Sequence, residues 1–243
     1  MKYTSWFVLV AAFSQLVGIF VFSGAGAFET TSGVQPTFIQ PAGWAFSIWG
    51  LIYLLSFIYA FYQVIPRNDN QALRANRLLV ATAFIGSSAW LYLAQQTGVL
   101  LWLTIPVLFI MAICLNYMVL QDNLSVKKYQ RLSREILYPY AAWTGIAAWL
   151  NVQAFLNNQN IITDPEINLA SNIFFFCVIA LGSFTMFRKS GYSIWYGGVI
   201  AWAALGIVSA NISDGSMVIA ILAGAVGLLT LSFVRRTVYG AKL

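Results

Sequence analysis

The 243-residue sequence contains no histidine and only two cysteines, and just 8% of its residues are charged. A soluble domain carries about 25% charged residues, so there is too little polar side chain here to coat a water-facing particle. The missing histidine removes His-ligated zinc and haem, the Ser-His and Cys-His dyads and the usual proton relay. Cys114 and Cys177 each lie in the middle of an apolar run, which predicts buried free thiols rather than a disulfide or a metal site. No P-loop, dinucleotide glycine fingerprint or zinc-protease helix occurs, and no metal site is expected.

What is present is apolar. Hydrophobic residues make up 60% of the chain and aromatic residues 16%, and the mean hydropathy is +0.77. The solvent for such a surface is lipid. A helix needs roughly 20 apolar residues to cross a hydrocarbon core of about 30 Å. Eight runs approach that length, at Trp6–Val21, Gly43–Gln63, Leu78–Leu93, Leu100–Leu120, Ile136–Phe155, Leu169–Met186, Ile194–Ala210 and Met217–Val234. The expected fold is an all-α, polytopic transmembrane bundle of about eight helices.

Charge placement tests this count independently, because retained cytoplasmic segments collect Lys and Arg. Lys2 precedes the first run. Arg67, Arg74 and Arg77 follow the second, Lys127, Lys128, Arg131 and Arg134 the fourth, Arg188 and Lys189 the sixth, and Arg235, Arg236 and Lys242 the eighth. These are all 13 basic residues. The alternate connections carry none and hold Glu29, Asp164, Glu166 and Asp214. Both termini are therefore expected in the cytoplasm of a multi-pass protein, with the plasma (inner) membrane as the expected location. The net charge of +6 is a topology signal rather than a nucleic-acid footprint, so no nucleic acid is expected as a partner. Lys2, the first run and Ala25-Gly26-Ala27 also fit a cleavable signal peptide, but the run is longer than the usual 7–15-residue apolar region.

Because the charges fall in connections or at helix ends, carboxylate-coupled transport is not expected, and no run offers a lysine for a retinal Schiff base. The runs hold aromatic residues at helical spacing instead. Phe46, Trp49, Tyr53, Phe57 and Phe61 recur on one face of the second, and Tyr140, Trp143, Ala147 and Asn151 on one face of the fifth. Either they line a flat apolar slot with a few polar contacts, or they are ordinary packing between neighbouring helices. The amides and hydroxyls Gln15, Ser87, Ser88, Asn116, Thr144, Asn151 and Gln153 likewise either face a ligand or tie helices together. Ala83/Ser87, Ala141/Gly145 and Ala220/Gly224 mark close helix contacts within or between chains, so a homodimer is one reading. Pro106 predicts a kink in the fourth helix. The long Ser23–Pro41 connection is either a lid, with Phe28 and Phe38 as apolar contacts, or a plain linker.

Pro36-Thr-Phe-Ile-Gln-Pro41 and the following Trp49 and Tyr53 resemble the first loop and second helix of the TspO (translocator, tryptophan-rich sensory) family. Pro139-Tyr140, Trp143, Ala147 and Leu150-Asn151 resemble its fifth helix, and Ser87-Ser-Ala-Trp90 its third. The family's Lys-Pro and Pro-Pro are here Gln35-Pro36 and Gln40-Pro41, with the following aromatic displaced to Phe46. The resemblance covers 1–157 as a five-helix bundle, leaving 158–243 as three additional helices.

The resemblance implies a receptor that binds a planar hydrophobic ligand, a tetrapyrrole such as protoporphyrin, between the second and fifth helices. The implied ligand-side residues are Trp49, Tyr53, Phe46, Ser87, Trp90, Tyr140, Trp143, Ala147 and Asn151. The fifth helix ends without the family's Tyr-plus-basic pattern, which argues against a sterol. No cofactor is required, and without histidine a metal-free macrocycle fits better than haem. A carrier for a neutral lipophilic substrate and a light-dependent porphyrin-degrading enzyme are the alternatives.

Overall fold

The computed structural model describes residues 2–22, 36–65, 71–96, 102–121, 127–212 and 215–239. Most of the Ser23–Pro41 connection, with Phe28 and Ala25-Gly26-Ala27, lies outside them. Among the described residues there are eight α-helices and no strand: α1 Lys2–Phe22, α2 Ile48–Val64, α3 Gln71–Leu93, α4 Thr104–Gln121, α5 Lys127–Asn158, α6 Pro165–Lys189, α7 Ile194–Asn211 and α8 Met217–Tyr239. A short 3₁₀ turn, Gly43–Ser47, leads into α2.

Among the described residues six spans, Thr4–Val21, Gly43–Val64, Thr104–Gln121, Pro165–Lys189, Ile194–Asn211 and Met217–Val238, are long and apolar enough to cross a bilayer. The helices α3 and α5 have 23 and 32 residues, which supplies the length, but their Tyr, Trp, Ser, Thr, Asn and Gln dilute the apolar signal. Large apolar side chains such as Phe20, Leu78, Leu181 and Leu228 are exposed, as lipid-facing positions are. This is a polytopic helical membrane protein.

The chain forms two compact units. One comprises α1 to α4 and α5 up to Thr144; the other comprises residues 36–47, α5 from Gly145, and α6 to α8. In the first, α1 packs on α2 and α3, and α3 packs on α4. Half-buried amides and hydroxyls stitch these helices together. Ser14 and Ser88 share a hydrogen bond of 2.8 Å, and the Asn116 amide donates to the Ala141 carbonyl at 3.2 Å. In the second unit α7 packs on α8, where Gly227 leaves room for Ala204. Asp164 caps α6 by accepting from the backbone N–H groups of Glu166 and Ile167, with Pro165 in the first turn, where its missing donor costs nothing.

Four expectations need correction. Cys177 is exposed and Cys114 is half-buried, so neither is a buried thiol, although both are free. Pro106 is the third residue of α4, so it marks the helix start, where it lacks no intrahelical bond, instead of kinking the interior. The aromatic series on α2 does not stay on one face. Spacings of four residues advance 400° and drift about 40° per step, which leaves Trp49 and Tyr53 buried and Phe61 exposed. Finally, Arg77 is not in a connection: α3 begins at Gln71, before the apolar run, and Arg77 is buried inside it. Its guanidinium donates to Gln63 Oε1 at 3.0 Å and to Thr4 Oγ1 at 3.2 Å, joining α1, α2 and α3.

Candidate ligand site

The first unit gathers six of the expected residues into one aromatic cluster. Trp49 and Tyr53 lie one turn apart on the buried face of α2; Ser87 and Trp90 project from α3, and Tyr140 and Trp143 from α5. Trp49 is the hub. Its ring centroid lies 5.4 Å from Trp90 in a stacked pair, 5.4 Å from Tyr53, and 6.0 and 6.2 Å from Tyr140 and Trp143, both edge to face. Such offset and T-shaped pairs suit the ring quadrupole. The Trp49 and Trp143 indoles therefore meet in direct contact and do not face each other across a slot.

Polar atoms thread the cluster. The Tyr53 and Ser87 hydroxyls share a 2.7 Å hydrogen bond. The Tyr140 hydroxyl donates to Gln15 Oε1 at 2.6 Å, and its ring stacks on Phe84 at 6.0 Å. Trp49 Nε1 and Gln15 Nε2 are buried donors with no acceptor among the described residues, in side chains that are 5% and 0% exposed. A donor left unmet in an apolar interior is costly. Phe84 escaped sequence reasoning because it belongs to neither aromatic series; it sits three residues before Ser87, on the same face of α3.

Phe46, Ala147 and Asn151 belong to the second unit. Phe46 lies in the 3₁₀ turn and is half-buried; Ala147 is buried, and the half-buried Asn151 turns its amide back to the Ala147 carbonyl at 3.4 Å. Of the other amides and hydroxyls, Thr144 also bonds to its own helix, at the Tyr140 carbonyl. Gln153 bonds to Asn157, Asn168 and Ser171.

Among the described residues no group of three or more His, Cys, Asp or Glu side chains is placed to hold a metal. A family model described as "TSPO-like protein" matches residues 3–235, running through α6, α7 and most of α8. No curated protein and no solved structure gives a significant match.

Proposed function

Because the chain belongs to the TSPO-like protein family, we propose that this integral membrane protein is a receptor for a planar hydrophobic ligand, a tetrapyrrole such as protoporphyrin, held by the aromatic cluster around Trp49. The observation that carries the reading is chemical. Indole and phenol rings offer a large flat apolar surface, and within the same cluster the Trp49 Nε1 and Gln15 Nε2 donors find no acceptor among the described residues. A ligand presenting a carbonyl, carboxylate or unprotonated pyrrole nitrogen would meet them, and its conjugated plane would lie on the rings. Since Trp49 and Trp143 touch edge to face at 6.2 Å, the macrocycle lies against their shared edge or displaces one indole on entry. Tyr53 and Ser87 would turn their shared hydroxyl pair toward ligand substituents. The plasma membrane is the proposed location.

Titration of detergent-purified protein with protoporphyrin, followed by tryptophan quenching, tests this. Trp49→Phe keeps an aromatic ring but loses the indole donor, so affinity should fall about tenfold, the equivalent of one good hydrogen bond. Trp143→Phe should weaken binding through lost ring area. Unchanged affinity in both variants removes the site. Light-dependent loss of the bound porphyrin would mark the enzyme reading, and flux into sealed vesicles the carrier.

A further inference from the structure

Residues 36–47 of the second unit are seated on α5, α6 and α7 by hydrogen bonds at five backbone groups. The Pro36 carbonyl accepts from the amides of Asn157 at 3.2 Å and Asn168 at 3.0 Å. The Ile39 N–H donates to Asn172 Oδ1 at 3.2 Å, and the Phe38 carbonyl accepts from the Asn211 amide at 2.7 Å. The Ala42 N–H donates to the Gly206 carbonyl at 3.0 Å, and the Ala45 carbonyl accepts from the Trp202 indole at 2.8 Å. Asn157, Asn168, Asn172 and Asn211 are each 2% exposed or less. The seat is also shaped: a Cβ built on Gly206 would lie 2.8 Å from the Cβ atoms of both Pro41 and Ala45, so only glycine admits the segment this closely.

Buried amides commonly tie membrane helices to one another, but all four of these asparagines also reach the backbone of residues 36–39. These amides do for an irregular segment what helical geometry does for a span, satisfying backbone polar groups away from water. We propose that residues 36–47 are a latched strap: a two-position element whose seated position is held by the Asn172, Asn211 and Trp202 side chains, with α6 and α7 as its anchor. The strap runs through Ser47 directly into Ile48, the first residue of α2. This holds whether or not the ligand is a tetrapyrrole.

Hydrogen exchange on the intact protein in detergent tests the latch at the Ala42 amide, whose partner, the Gly206 carbonyl, is untouched by the substitutions. Trp202→Phe keeps the ring and removes the bond to Ala45; Asn172→Leu removes the bond to Ile39. In each, Ala42 exchange should quicken about tenfold, the effect of one hydrogen bond lost from the seated state alone, while amides in the middle of α6 keep their wild-type rates. Wild-type exchange at Ala42 in both variants would overturn the proposal. So would equal acceleration in the middle of α6, because the side chains would then be holding the helices together and not the strap.

Discussion

At the scale of single residues, buried polar atoms decide more than their number suggests. The Tyr140 hydroxyl and Gln15 Oε1 satisfy one another across α5 and α1, so cutting the pair from one side is costlier than removing it. Tyr140→Phe leaves Gln15 without its donor and should lower unfolding stability by about 1–3 kcal/mol, whereas adding Gln15→Leu should restore most of the loss. Thermal unfolding in detergent of both single variants and the double variant closes the cycle; additive losses would mean the bond is not stabilising. Arg77 argues likewise. With Arg77→Met, Gln63 Oε1 and Thr4 Oγ1 lose a charged donor, and stability should fall by about 2 kcal/mol in the same assay. Gln15, Trp49, Tyr140 and Trp143 were all legible in the sequence as individuals, because intramembrane amides and aromatics stand out against Leu and Ile. Their pairing was not, since α1 and α5 are more than a hundred residues apart and no local pattern encodes which side chains meet.

Elements show where periodicity informs and where it misleads. The apolar runs located every helix, but helices begin where backbone geometry permits rather than where hydropathy rises. Hence α3 and α5 extend past their runs and carry Arg74 and Arg77, and residues 127–134, into helical backbone. Glycine positions on α7 separate two roles that composition cannot. Gly206 has no space for a methyl group beside Pro41 and Ala45, while Gly198 has nothing within 4 Å. Gly206→Ala should unseat residues 36–47 and cost about 1–3 kcal/mol by overpacking. Gly198→Ala should raise stability by up to about 1 kcal/mol through helix propensity. The two melting temperatures, measured side by side, should move in opposite directions; a common direction would contradict the seat.

For the molecule as a whole, alternation of basic connections remains the strongest topological evidence. Thiol labelling tests it in a background with Cys114 and Cys177 replaced by alanine. A membrane-impermeant maleimide should reach Gln159→Cys, between α5 and α6, on intact cells, and Lys189→Cys, at the last residue of α6, only after permeabilisation. The opposite pattern would invert the orientation. By itself the sequence determined the lipid solvent, the all-helical class, the number of helices and the likeness to the TspO family, because these follow from composition, run length and local spacing. Only the tertiary structure decided that Trp49 and Trp143 touch edge to face, that Arg77 is buried, and that four asparagines hold residues 36–47. Each of these is a contact between residues distant along the chain, and a one-dimensional pattern records which faces are apolar but not which faces are pressed together.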